Sequence, residues 1–237
     1  MGDGKATLHM RKVSWGVVVM PLRFCEPVPT EPSNAAVFLS ASIPNPDTWD
    51  GAFSAPEITD AVVAFARVFL TAGVRLVSAA HPTIAPLLLY VAAEIEPRQT
   101  ERVLIYQSQL FEDVLPTATR RFEAEGIGQI IWTEARGGDA RVRATWGPSL
   151  DLMRRQMLDQ TNPRAAVFIG GMEGIDTEYE LFREVFPDRP TYAVGYPGGE
   201  ARRLSEQLDS PLRDRLANDD LYPALWYSVL EDLRRRY

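Results

Sequence analysis

From Ala35 onward the chain alternates short apolar runs with segments of helical periodicity, and this alternation restricts the fold more than any other feature. Apolar runs lie at residues 35–39, 74–77, 102–106, 129–133, 165–169 and 191–194, each short enough for a buried strand. Between the first two, Ile58, Ala61, Val62, Phe65, Val68 and Phe69 repeat at helical spacing, so one face of that segment is apolar, and Gly73 then ends the helix. A second helix is expected to start near Pro82, a third to run through 120–125 and stop at Gly126, and further helices to span 149–159, 176–185 and 200–208. Strands that are apolar throughout need cover on both sides. The expected fold is therefore α/β: a doubly wound, mostly parallel, Rossmann-like sheet with helices on both faces. Such folds bind ligands beyond the carboxyl ends of their strands.

The 237 residues suit one large domain. Residues 1–34 read as an extension, with a possible strand over 10–20 and four prolines between Pro21 and Pro32. Residues 35–237 read as a single domain closed by an amphipathic helix carrying Leu221, Leu225, Trp226, Val229, Leu230 and Leu233. That helix could cap the core or bind a partner, and its final Arg234, Arg235 and Arg236 suit the negative pole of a helix dipole. The formal net charge of −7 argues against nucleic acid as a partner, which needs clustered cations. Cys25 is the one cysteine, and His9 and His81 are the only histidines, so neither an intrachain disulfide nor a metal site is expected. No apolar run reaches the ~20 residues of a membrane span, and no signal segment is evident. A soluble, cytoplasmic protein is the expectation.

Four strand ends carry small residues: Ser40-Ala41-Ser42, Ser78-Ala79-Ala80-His81-Pro82, Gly170-Gly171 and Tyr196-Pro197-Gly198-Gly199. In a parallel sheet these share one rim, where small residues admit a ligand close to the backbone and helix N-termini offer N–H groups to phosphate. The most informative is Gly170-Gly171-Met172-Glu173-Gly174, which is neither a P-loop nor a dinucleotide fingerprint. Glu178 falls about one turn into the next helix. A carboxylate there would repel phosphate but accept hydrogen bonds from ribose hydroxyls, or simply favour the helix dipole. Leu152, Met153 and Met157 are expected to face the core, leaving Arg154 or Arg155 for phosphate or for solvent. The segment 43–56, with Trp49 and Phe53, could fold over the rim and stack a base, or serve as a structural loop. His81 could touch phosphate or act as an acid, or be an ordinary loop histidine. No Gly-x-Ser-x-Gly elbow supports a serine triad.

These residues resemble the SLOG superfamily, which includes DprA and the Lonely guy phosphoribohydrolases, over roughly residues 35–208. The run 38–42 looks like that superfamily's opening strand and small-residue turn. Ala79-Ala80-His81-Pro82-Thr83-Ile84-Ala85-Pro86-Leu87 is similar to the Gly-Gly-His-Pro-x-Ile-x-Pro-Leu stretch of one branch, which includes the sensor domains of Thoeris antiphage effectors. Those domains bind cyclic ADP-ribose isomers. Phe168 to Ile175 followed by Glu178, and Tyr196 to Glu200, look like the same branch's later motifs. In the phosphoribohydrolases the comparable loop reads Pro-Gly-Gly-x-Gly-Thr-x-x-Glu, and an upstream arginine pairs with that glutamate in catalysis. Here Ile169 replaces the proline, Ile175 replaces the threonine, and Glu173 makes the loop one residue longer. Alanines also replace the two glycines at 79 and 80.

The resemblance implies a ligand-binding set of Ser40, Ala41, Ser42, Ala80, His81, Arg154, Gly170, Gly171, Met172, Glu173, Gly174, Glu178, Gly198 and Gly199, with no cofactor. The departures favour binding of an ADP-ribose or cyclic ADP-ribose type of nucleotide in signalling or antiphage defence. The alternative is hydrolysis of the N-glycosidic bond of a nucleoside monophosphate by Arg154 and Glu178. A homo-oligomer and a separate effector protein are the expected protein partners.

Overall fold

The computed structural model describes residues 35–95, 100–137 and 147–237, all within the compact unit formed by residues 31–237. The expected strand over 10–20 lies outside the described residues. Six strands form one sheet: β1 Ala36–Ser42, β2 Arg75–Ala79, β3 Val103–Ser108, β4 Gln129–Thr133, β5 Ala165–Gly170 and β6 Thr191–Val194. Their order is β4-β3-β2-β1-β5-β6, and every described pairing is parallel. The chain winds outward from β1 to β4, crosses back, and places β5 on the other side of β1. The topology is Rossmann-like, with its switch point between β1 and β5.

Strand residues alternate between two cores. Val37, Leu39, Leu76, Ile105, Val167 and Ile169 enter one, while Phe38, Val77, Tyr106, Ala166 and Phe168 enter the other. The first core is covered by α1 (Ala55–Thr71), α2 (Ala85–Ile95) and α8 (Tyr222–Arg236). The second is covered by α4 (Pro148–Thr161), α5 (Gly174–Val185) and α6 (Glu200–Gln207). Two helices complete the set, α3 (Thr117–Ala124) and α7 (Arg213–Asn218), and the six residues of α7 had no counterpart in the periodicity. Burial on both faces is why the strands carry almost no solvent-facing polar residue.

α1 follows from its sequence. Ser54 caps it by accepting the Glu57 N–H, and all six residues of its apolar face are buried. Gly73 closes it with φ +82°. α2 departs from expectation. Pro82 does not open the helix, because the His81 carbonyl accepts the N–H groups of Ile84 and Ala85 in a turn that delays helical structure to Ala85. In α4, Met153 and Met157 are buried as expected, but Leu152 is half-buried and Leu158 takes its place in the core.

α8 carries the C-terminal apolar stripe and lays it against α1. Leu225, Trp226, Val229, Leu230 and Leu233 are buried, and the Trp226 ring packs edge-on against Phe65 and Phe69 of α1. Its indole N–H donates to the Ala61 carbonyl at 2.9 Å. The helix thus caps the core of its own chain. Leu221 is the exception: it lies before the helix and is 66% exposed. Among the described residues no helix is long and apolar enough to cross a membrane.

Candidate functional site

A cavity of about 370 Å³ opens at the carboxyl edge of the sheet, beside the switch point. Its lining comes from the ends of β1, β2 and β3, the turn after β2, the first turns of α4 and α5, and the segment following β3. This is where the topology leaves two outgoing loops diverging, so the crevice is a consequence of strand order.

At its centre stands a three-residue cluster. Glu178 on α5 is only 8% exposed, yet both of its carboxylate oxygens are engaged. Oε1 accepts from Arg154 Nε at 2.7 Å, and Oε2 accepts a short hydrogen bond from Ser40 Oγ. The ion pair is sheltered, with side-chain exposures of 12% and 11%. Helical phase explains the choice of arginine. Arg154 follows the buried Met153 onto the cavity side, whereas Arg155 turns outward to pair with Asp151 and Glu184. A carboxylate has about four acceptor positions. Two protein donors therefore fix Glu178 while leaving it able to accept from a ligand.

His81 also lines the cavity, in the turn after β2. Burial pushes its imidazole pKa below the usual histidine value, and the Glu178 carboxylate opposes that shift. Nδ1 makes a 2.9 Å hydrogen bond with Thr83 Oγ1 and lies 3.4 Å from the Thr83 backbone N–H, so both of its neighbours belong to Thr83. Among the described residues, Arg154 is the one Arg or Lys in the lining, against two carboxylates, Glu173 and Glu178. Among the described residues, no group of three or more His, Cys, Asp or Glu side chains is arranged to hold a metal ion.

The SLOG cluster3 family model matches residues 53–230, three-quarters of the chain and most of the sheet just described. The chain belongs to the SLOG cluster3 family. No curated protein matches it. Membership supports a nucleotide-related ligand for the SLOG domain and leaves binding and hydrolysis both open.

The SLOG fold brings together ten of the fourteen residues expected at the site. Ser40, Ala41, Ser42, Ala80, His81, Arg154, Met172, Glu173, Gly174 and Glu178 all line the cavity. Gly170, Gly171, Gly198 and Gly199 do not, and they meet protein atoms instead. Gly171 donates its N–H to Ser42 O at 2.7 Å and accepts from Glu200 N at 2.9 Å. Gly198 forms an isolated antiparallel bridge with Phe53. Gly170 and Gly199 cross backbone to backbone. Both have positive φ, and a Cβ on Gly199 would lie 2.6 Å from the Gly170 carbonyl carbon. Glycine is required there by this close approach of two loops.

The segment 43–56 belongs to the same scaffold. Phe53 is packed against the first core, Ser54 N–H donates to Pro197 O at 2.8 Å, and neither Trp49 nor Phe53 lines the cavity. Residues that the loop motifs did not reveal are Gln107 at the end of β3, Phe111 and Val114 in the 3-10 segment Gln109–Val114, and Leu150 and Met153 of α4. A signal was present for Gln107: it interrupts an otherwise apolar buried strand, Val-Leu-Ile-Tyr-Gln-Ser, near its carboxyl end.

Proposed function

We propose that this protein binds and senses a nucleotide-derived ligand of the ADP-ribose or cyclic ADP-ribose type, with a ribose held on Glu178. The carrying observation is the Ser40–Glu178–Arg154 cluster in the cavity at the sheet's switch point. A carboxylate held by two donors is a fixed acceptor for ribose hydroxyls, as a recognition site requires. The amino end of α5, at Gly174 and Ile175, reaches the same cavity and supplies a favourable pole for a phosphate. The cavity volume is at the low end of the range for small-molecule sites. The message would pass to a separate effector protein or through self-association in the cytoplasm.

Calorimetry of the full chain with ADP-ribose, cyclic ADP-ribose isomers and AMP tests this reading. Saturable binding with release of heat is expected for at least one of them, and its loss in Glu178→Ala. Failure of every ligand to bind at high micromolar concentration refutes the ADP-ribose assignment.

One observation favours a second reading. The Arg154–Glu178 pair has the composition of a phosphoribohydrolase catalytic pair. Glu178 would then stabilise positive charge developing at the ribose carbon as the N-glycosidic bond of a nucleoside monophosphate breaks, with Arg154 orienting the carboxylate. Base release from AMP, followed by chromatography for the unmodified chain and Glu178→Ala, separates the readings. Sensing predicts identical traces, and hydrolysis predicts release only with Glu178 present.

A further inference from the structure

The geometry points to a base-recognition subsite at the β3 side of the cavity, in which the Gln107 amide donates to an acceptor on a purine ring. This inference rests on the nucleotide reading above and extends it to the half of the cavity which that reading leaves unassigned.

Gln107 is 7% exposed, lines the cavity and stands near the end of β3. Its Oε1 accepts the Ser108 backbone N–H at 3.0 Å. That bond fixes the amide, so the NH2 group is the free end. Among the described residues Nε2 has no protein acceptor, although the side chain is more than nine-tenths buried. Nε2 is not among the fully buried orphaned atoms, so it keeps contact with water at the cavity, and a ligand acceptor would take the place of that water.

The surroundings match a flat ring. Phe111, Val114, Leu150 and Met153 make the lining away from the carboxylate apolar, and Val114 is 49% exposed at the surface. The position matches as well. Gln107 lies on β3 and Ser40 on β1, with β2 between them. Two strand spacings separate them by roughly 9–10 Å along the sheet edge. Strand alternation sends the Gln107 side chain off the face opposite to Ser40, so the two approach one cavity from either side of the sheet's carboxyl edge. Purines carry ring-nitrogen acceptors that an amide NH2 can reach.

Calorimetry with AMP and ribose 5-phosphate, on the full chain and two variants, tests the subsite. Gln107→Glu keeps the shape and an acceptor for Ser108 N–H but replaces the donor. Gln107→Met keeps the volume and removes the amide without adding charge. The unmodified chain is expected to bind AMP more tightly than ribose 5-phosphate. Both variants should lose about fivefold in AMP affinity while ribose 5-phosphate stays within about twofold, as loss of one neutral hydrogen bond requires. Unliganded melting curves identify any variant that has lost its fold. If AMP binds and both folded variants retain its full affinity, or lose AMP and ribose 5-phosphate equally, the subsite is wrong and the nucleotide reading survives. If the unmodified chain binds neither compound, the subsite is wrong, and the nucleotide reading falls with it when ADP-ribose and its cyclic isomers also fail to bind.

Discussion

Removing the charge of Arg154 should destabilise the protein strongly even without ligand. Arg154→Met keeps much of the aliphatic stem that packs in the cavity wall and deletes the guanidinium. Glu178, 8% exposed, is then left with Ser40 as its one remaining side-chain donor. Breaking a buried ion pair by removing one partner costs about 3–5 kcal/mol. The cavity admits water on one side, which favours the low end of that range. In a domain of this size 1 kcal/mol moves the melting midpoint by roughly 2–4 °C, so a drop of about 6–12 °C is expected. Glu178→Gln should cost a comparable amount, because an amide then faces the Arg154 cation. The double variant removes both charges while a glutamine carbonyl can still accept from Ser40. It should therefore lose less than the two single losses summed, by about 1 kcal/mol or more. Thermal melts and urea titrations of the four proteins, all without ligand, measure this. Additive losses, or a single variant as stable as the unmodified chain, would refute the claim that the pair is a desolvated structural unit.

Three further outcomes follow from packing and titration. Trp226→Ala should cost about 3–5 kcal/mol by urea denaturation, because a fully buried indole on Phe65 and Phe69 is lost, whereas the exposed Leu221→Ala should stay within about 0.5 kcal/mol. Gly199→Ala combines a φ of +71° with a Cβ 2.6 Å from the Gly170 backbone. It should lower the melting midpoint by about 5 °C or more, and an unchanged midpoint would mean the two loops can separate freely. Because burial lowers the His81 pKa, the unfolded chain takes up this proton at higher pH than the folded one. That contribution to stability is complete above the ordinary value of 6.5 and is lost as pH falls below it, so His81→Asn should flatten the decline in melting midpoint on acidification.

The layering was legible because strands buried on both faces leave a distinctive mark. Runs such as Ala-Ala-Val-Phe-Ile cannot serve a one-sided sheet, and both β4 and β6 begin and end where the runs do. The strands feeding the site were less legible. β1, β2 and β3 each extend past their apolar run into polar or small residues, to Ser42, Ala79 and Ser108. Those extensions are held by register with neighbouring strands, which local composition does not encode. The carboxylate was visible as Glu178 in the first turns of α5, but its partners were not fixed by sequence. Ser40 is 138 positions away, and the choice of Arg154 over Arg155 depends on the rotation of α4 about its axis.

The glycines show why a motif and a site can diverge. Gly170, Gly171, Gly198 and Gly199 attract attention because glycine after a buried strand is a familiar route to phosphate. In this fold they let three segments cross: the loop after β5, the loop after β6 and the chain around Phe53. Their contribution to the cavity is indirect and geometric. Gly171 N–H anchors Ser42 O, tying the end of β1 to the start of the loop into α5, and α5 carries Glu178. With β1 and α5 joined at that point, Ser40 and Glu178 come within hydrogen-bonding reach and Arg154 closes the carboxylate from the α4 side. The cavity's polarity then follows from position: a fixed carboxylate with Arg154 at the switch point, and the Gln107 amide at the edge two strands away. Under the proposed reading, a sugar joined to a heterocycle would place hydroxyls at the carboxylate end and a flat ring at the amide end.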